Sequence, residues 1–162
     1  MVSAKLRLLL VRHGEAERRA ATDELRPLSL HGRAEVGSVA EKLRAADLVG
    51  PRVYCSTLLR ARQTADIIAG TLCVDAPRML DGITPDDDPR RALKVLAPLC
   101  VPGVTPIVAT HMPLIAGLVA WLEQGSLQHA VPVVTAGAIL LEGDLVGPGL
   151  MSPVWKLGPG HA

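Results

Sequence analysis

The 162-residue sequence contains no phenylalanine, and aromatic residues make up only 2% of the chain. The hydrophobic core is therefore expected to consist of Leu, Val, Ile and Ala side chains. An excess of charge of one sign is also lacking, because 17 basic residues nearly balance 16 acidic residues and the formal charge is +1. Without a basic field suited to nucleic acid, we expect neither DNA nor RNA as a partner.

Long hydrophobic runs are missing as well. The longest, near residues 112–122, is shorter than the ~20 residues that span a bilayer, so no association with a membrane is expected. No signal-peptide cleavage pattern precedes the first predicted strand. The cysteines Cys55, Cys73 and Cys100 are scattered and odd in number, which is typical of reduced thiols and not of metal ligands. These observations predict a cytoplasmic protein.

The chain alternates between apolar strand-like runs and segments with helical periodicity. The predicted strands are 5–11, 52–55, 76–80, 105–110, 133–141 and 150–157, and the predicted helices are 30–46, 57–70, 89–99 and 113–124. This alternation predicts one α/β domain over residues 1–157, a three-layer α/β/α sandwich with a mostly parallel sheet and an antiparallel final pair of strands. Residues 158–162 are expected to form a disordered tail.

The first predicted strand runs directly into Arg12, His13 and Gly14. In open parallel sheets, ligands bind at the carboxyl ends of strands, where this tripeptide falls. A neutral imidazole can attack phosphorus, an arginine fork fits phosphate oxygens, and glycine lets the backbone approach a ligand. One ring nitrogen of His13 must then be unprotonated, with the other held by an acceptor such as a carbonyl of the Gly14 loop. A solvated Arg-His pair in a turn is the alternative interpretation.

Two further strand ends add to this set. Ser56 and Arg60 follow the second predicted strand, where the hydroxyl can cap a helix or donate to a bound anion, and the arginine reaches the same end. His111 follows the fourth predicted strand and precedes Pro113, which suits a first helical turn. Each residue alone has an ordinary structural explanation. Together with the first tripeptide they predict one cationic phosphate pocket, with no metal or other cofactor.

With these motifs the chain resembles the histidine phosphatase superfamily, also called phosphoglycerate mutase-like, and within it the short SixA-type phosphohistidine phosphatases. The similarity spans almost the whole chain, in the family's order and with similar spacing. The matching segments are LLLVRHGEAE at 8–17, RPLSLHG at 26–32, STLLRARQTA at 56–65, GITP at 82–85, VATHMP at 108–113, TAGAILLE at 135–142 and LMSPVWKL at 150–157.

The resemblance implies a role for each residue of the pocket. His13 would be the phosphorylated nucleophile, Arg12 and Arg60 would bind the phosphoryl oxygens, and His111 would complete the pocket. Arg26 matches an arginine that lies near the phosphate in SixA-type enzymes. The implied reaction is metal-independent removal of a phosphoryl group from phosphohistidine on a protein, such as a phosphotransfer domain of a signalling relay, through a phosphohistidine intermediate on the enzyme.

The sequence does not determine which residue would protonate the leaving group. SixA-type relatives carry Glu-Leu-Thr-Pro where this chain has Gly-Ile-Thr-Pro at 82–85, so the matching carboxylate is missing. Glu15 and Asp81 are the candidates, and a solvated loop charge is an equal interpretation for Glu15. A leaving imidazole needs less protonation than an alkoxide. This favours phosphohistidine as the substrate.

Segment length points to the same substrate. Only 50 residues separate Arg60 from His111 and they already hold a strand and a helix, so little is left for a lid over small substrates. Two alternatives stay open. One is a broader phosphomonoesterase of the same superfamily, and the other is a non-catalytic module that binds phosphate.

Overall fold

The computed structural model describes residues 4–160, which form six strands, four α-helices and two short 3-10 helices. The strands are β1 (Leu6–Arg12), β2 (Pro51–Cys55), β3 (Arg78–Met79), β4 (Thr105–Thr110), β5 (Ala138–Gly143) and β6 (Ser152–Leu157). The helices are α1 (Leu30–Ala45), α2 (Leu59–Leu72), α3 (Pro89–Leu96) and α4 (Leu114–Gln124), and the 3-10 helices are Asp23–Leu25 and Ala97–Leu99.

The strands form a single sheet in the order β3-β2-β4-β1-β5-β6. Strands β1 to β4 pair in parallel, whereas β5 is antiparallel to both β1 and β6. The predicted mostly parallel sheet with an antiparallel final pair is confirmed. Because β1 and β4 are adjacent and parallel, their carboxyl ends lie side by side at one edge of the sheet.

Helices cover both faces of the sheet, so the apolar run of β1 is buried on both sides. Leu9 and Val11 pack in one core cluster with residues of α1 and α2, while Leu8 and Leu10 pack in a second cluster with residues of α3 and α4. Side chains alternate between the two faces of a strand, which sends neighbouring leucines into different clusters. The predicted three-layer architecture and the largely aliphatic core are both confirmed.

The largest difference from the sequence prediction concerns the fifth strand. It begins at Ala138 instead of residue 133, because residues 134–137 form a turn in which Gly137 N donates to Val134 O over 2.9 Å and Ala136 has φ 58°. Two adjacent valines, Val133 and Val134, carry the β-branched signal of a strand although they lie in a loop. This loop, which was predicted as strand, contacts the end of β1, where Arg12 N donates to Gly137 O over 2.9 Å.

Smaller corrections concern helix and strand ends. Helix α1 is capped as predicted by Ser29, whose hydroxyl accepts from Gly32 N over 2.9 Å. Helix α2 begins later than predicted, with Leu58 in the N-cap position. The predicted strand 76–80 shortens to two residues, and the predicted helix 89–99 ends as a 3-10 turn.

The predicted tail is described in part. Gly158 O accepts a hydrogen bond of 2.6 Å from Lys42 Nζ, which ties the first tail residue to α1. His161 and Ala162 lie outside the described residues, so the prediction of disorder is not tested there. Within residues 4–160, no helix combines the length and the apolar composition needed to cross a membrane.

Candidate active site

The two predicted histidines meet where β1 and β4 end. Arg12 and Thr110 are paired in the register of the two strands, and His13 N donates to Thr110 O over 3.0 Å. His13 and His111 therefore follow neighbouring strands, and their ring centroids lie 5.1 Å apart. Both residues are buried, with 9% exposure for His13 and none for His111.

The His13 ring is fixed in one tautomer by the backbone. Its Nδ1 lies 2.6 Å from Gly14 O, and a carbonyl oxygen can only accept, so Nδ1 carries the proton. The expected carbonyl acceptor is thus that of Gly14 itself. Burial lowers the pKa of His13 to about 4, opposed by the Gly14 hydrogen bond and reinforced by nearby arginines. The ring is neutral at pH 7, with its lone pair on Nε2.

His111 lies against His13 with both ring nitrogens in a buried setting. Its Nε2 is 2.5 Å from Ser56 Oγ, and that oxygen also accepts from Leu58 N over 3.3 Å. Burial, followed by the influence of His13 and Arg60, lowers the pKa of His111 to about 3. Within residues 4–160, its Nδ1 has no hydrogen-bond partner. A Ser56 hydroxyl that donates to Nε2 would place the ring proton on this unpartnered Nδ1.

A cavity of about 520 Å³ opens at this edge of the sheet. Its lining includes His13 and the three predicted arginines, which come from three separate segments of the chain. The lining residues are Arg12, His13, Asp23, Glu24, Arg26, Thr57, Leu58, Arg60, Thr84, Pro85, Asp86 and Met112. His111 is fully buried and is not part of this lining, and its ring lies against that of His13. Thr57, Thr84 and Met112 are lining residues that the sequence motifs did not single out.

Asp23 joins two of the arginines, a contact that the sequence analysis missed. Arg60 donates from Nη1 to Asp23 O over 2.8 Å and from Nη2 to Asp23 Oδ2 over 3.2 Å, while Arg26 Nη1 lies 3.0 Å from Asp23 Oδ1. Hydrogen bonding by Arg26, together with Arg60, lowers the pKa of Asp23. The only sequence signal for this carboxylate was its position three residues before Arg26.

Arg12 is hydrogen-bonded to the loop before β5, which the sequence had predicted to be part of the strand. Its Nη1 donates to Val133 O over 2.6 Å, and within residues 4–160 its buried Nε has no partner. Burial lowers the pKa of Arg12, and the carboxylate of Glu35 counteracts this effect. Glu35 also accepts from Glu15 N over 2.9 Å and from Thr135 Oγ1 over 2.8 Å, so it connects the loop after β1 to the loop that holds Arg12.

Gly14 allows the loop after β1 to pack closely against a helix. A Cβ at this position would lie 2.6 Å from Gly32 O, and a Cβ at Gly32 would lie 1.9 Å from Glu15 O. The absent side chain thus lets the loop pack closely against α1, and the approach of this backbone to a ligand stays a prediction. Gly14 N donates to Thr64 Oγ1 over 3.2 Å, and Thr64 Oγ1 donates to Arg60 O over 2.8 Å. These bonds couple the His13 loop to the arginine on α2.

Besides His111 and Gly14, three more predicted residues lie outside the cavity lining. Glu15 Oε1 accepts from Ser29 Oγ over 2.8 Å, and Glu15 lines a separate surface hollow formed by residues 15–19. Asp81 is also absent from the lining, and Ser56 is fully buried against His111. The structure therefore gives no geometric support to Glu15 or Asp81 as proton donors, or to direct anion binding by Ser56.

The fold and this cationic cavity define an α/β protein suited to binding an oxyanion such as a phosphoryl group. The sequence profile of the Histidine phosphatase superfamily (branch 1) matches residues 8–83. Phosphohistidine phosphatase SixA of Escherichia coli (strain K12) is 31% identical over 159 residues, covering 95% of this chain and 94% of that protein. The chain belongs to the histidine phosphatase superfamily.

Solved structures share the whole fold. The structure of the protein histidine phosphatase SixA complexed with tungstate has a TM-score of 0.82 and 27% identity, covering 94% of this chain and 97% of that one. A mycobacterial glucosyl-3-phosphoglycerate phosphatase has a TM-score of 0.72 over 93% of this chain and 97% of that one, and its identity of 16% shows a shared fold alone.

Proposed function

We propose that this protein is a phosphatase that removes the phosphoryl group from phosphohistidine on another protein, with His13 as the nucleophile. The observation that carries the proposal is the bond between His13 Nδ1 and Gly14 O, because it leaves the Nε2 lone pair beside three cavity-lining arginines. The similarity over the full chain to SixA, which is named a phosphohistidine phosphatase, supports the choice of substrate.

The first step transfers the phosphoryl group to the enzyme. The lone pair of His13 Nε2 attacks phosphorus, the bond to the substrate nitrogen breaks, and its electron pair leaves with that nitrogen. Negative charge spreads over the phosphoryl oxygens, where Arg12, Arg26 and Arg60 stabilise it without reorganisation. A proton on His111 Nδ1, as outlined above, would give a further donor. Water then hydrolyses the phosphorylated His13 and releases inorganic phosphate.

A protein substrate is supported by how little chain surrounds the cavity. Between α2 and β4 the described chain holds only the two-residue β3, the eight-residue α3 and a 3-10 turn. A histidine presented on a protein surface, such as that of a phosphotransfer domain, can therefore approach. Three free cysteines agree with a role in the reducing cytoplasm. Signalling partners of this kind and the cytoplasmic location are parts of the proposal.

The proposal is tested by following dephosphorylation of a protein that carries phosphohistidine. The wild-type protein should release phosphate equally with and without EDTA, and His13→Ala should lower the rate at least about a thousandfold. His129→Ala is the matched control, since His129 is exposed and lies outside the cavity. Equal rates for His13→Ala and wild type would contradict the proposal. A strong preference for small phosphate esters would support the phosphomonoesterase alternative instead.

A further inference from the structure

Asp23 is the carboxylate of the cavity that contacts its arginines. Its Oδ1 pairs with Arg26 at 3.0 Å and its Oδ2 with Arg60 at 3.2 Å, while its side chain is 57% exposed. Glu24 and Asp86 also line the cavity, but within residues 4–160 neither is hydrogen-bonded or ion-paired to an arginine. Each oxygen of an ionised carboxylate can accept more than one hydrogen bond, so Asp23 can accept further donors while it holds both arginines.

An acid with two arginine partners is kept ionised at neutral pH. The hydrogen bond from Arg26 lowers the pKa of Asp23, and Arg60 adds to this effect. An ionised carboxylate has no proton to give to the alkoxide that a phosphate ester releases. It does stabilise a positively charged group beside it, such as a protonated imidazole.

We propose that Asp23 binds the imidazole of the incoming phosphohistidine and selects this substrate over phosphate esters. The carboxylate accepts a hydrogen bond from the protonated ring nitrogen that does not carry phosphorus. This inference rests on the proposed function and deepens it, because it names the residue that recognises the leaving group.

The position of Asp23 matches the direction in which the leaving group departs. In-line transfer requires the attacking and leaving nitrogens to lie on opposite sides of phosphorus. His13 is 9% exposed and Asp23 side chain 57% exposed, so attack comes from the buried end of the cavity and the leaving ring points toward its open end. Arg60, whose side chain is 5% exposed, is a contact of Asp23.

The charge balance of the step explains the selectivity. A phosphohistidine ring protonated on its second nitrogen leaves as a neutral imidazole when the bond between phosphorus and nitrogen breaks. The proton stays on that nitrogen, hydrogen-bonded to Asp23, and the enzyme donates none. A phosphate ester of an alcohol leaves as an alkoxide, which takes no benefit from an ionised carboxylate and is repelled by its charge.

The test compares Asp23→Asn with wild type on two substrates, N-phosphorylimidazole and p-nitrophenyl phosphate, whose phenolate leaves without protonation. We expect kcat/KM for N-phosphorylimidazole to fall about 10- to 100-fold, the range for a lost hydrogen bond to a charged group. The value for p-nitrophenyl phosphate should stay unchanged or rise, because the arginines lose a competing anion. Asp23→Glu should recover most of the N-phosphorylimidazole activity.

Glu17→Gln is the matched control, since Glu17 lies on the same loop but in the hollow formed by residues 15–19, outside the cavity. It should leave both activities unchanged. An equal loss on both substrates in Asp23→Asn would assign Asp23 a structural role and overturn the inference, as would no loss on either. A wild-type protein that cleaves p-nitrophenyl phosphate but neither N-phosphorylimidazole nor a phosphohistidine protein would overturn the proposed function itself.

Discussion

Ser56 Oγ and His111 Nε2 lie 2.5 Å apart, and both residues are fully buried. They follow β2 and β4, which are adjacent and parallel, so the register of these strands sets the distance. The hydroxyl is the partner of one ring nitrogen and thereby leaves only Nδ1 unpartnered within residues 4–160. This contact suits Ser56 to orienting the second histidine, and its role in anion binding stays a prediction.

Replacing Ser56 by alanine should therefore affect both stability and catalysis. The buried Nε2 of His111 would lose its partner, at a cost of about 1–3 kcal/mol in the free energy of unfolding. Without this hydrogen bond the His111 ring can rotate, so kcat should also fall about tenfold. Urea unfolding and steady-state kinetics measure the two effects, with the exposed Ser152→Ala as a control expected to stay within about 0.5 kcal/mol of wild type. A Ser56→Ala protein as stable and active as that control would contradict this role.

Two glycines of α1 should respond oppositely to alanine. Gly32→Ala places a Cβ 1.9 Å from Glu15 O, so the loop that carries His13 must move. We expect a loss of about 2 kcal/mol or more in unfolding free energy and a large fall in activity. Gly37→Ala has nothing within 4 Å of its Cβ and should stabilise by about 0.5–1 kcal/mol, because alanine favours helix.

Chemical denaturation and phosphatase assays of these two helix variants test that contrast. A Gly32→Ala protein that gains stability like Gly37→Ala would show that the His13 loop does not depend on close packing against α1.

The rings of both histidines should stay neutral far below the usual histidine pKa. Burial lowers the pKa to about 4 for His13 and to about 3 for His111. NMR titration of the ring signals in the free protein should show neither ring titrating between pH 7 and pH 5. A midpoint between pH 6 and pH 7 for His13 would contradict the neutral nucleophile.

The same two pKa values predict how stability depends on pH. The unfolded rings bind protons near pH 6.5 and the folded rings only near pH 4 and 3, so the unfolded chain binds more protons between these limits. Stability is then fully present above pH 6.5 and falls as the pH is lowered. From pH 6 to pH 5 the two rings should together cost roughly 2 kcal/mol of unfolding free energy. A flat profile over this interval, measured by urea unfolding, would argue against neutral buried rings.

The convergence of the site was predictable because it depends on strand order and local motifs. His13 and His111 each follow an apolar run, and parallel strands bring such positions to one edge of a sheet. Arg60 is the second residue of α2, which starts at the same edge. Each of these residues is placed by its own strand or helix, so spacing along the sequence was sufficient.

The contacts of the loops were not predictable in this way. Asp23 reaches Arg60 across 37 positions of sequence, because the loop after β1 folds back over the cavity. Glu35 bonds to Thr135 across 100 positions, and that partner lies in a turn whose valines resemble a strand. Such contacts depend on the final packing of irregular segments, which leave no periodic signal. The same reason explains why Glu15 was expected in the cavity although its carboxylate bonds to Ser29.

Mass spectrometry of the protein quenched at alkaline pH during turnover of a phosphohistidine substrate tests directly whether His13 is the nucleophile. We expect a phosphoryl group on His13 in wild type and none on the corresponding peptide of His13→Ala. When the substrate is used up, all of this phosphoryl group should have been hydrolysed to inorganic phosphate. A phosphoryl group on His111 instead of His13, or sustained turnover by His13→Ala, would contradict the assignment of the nucleophile.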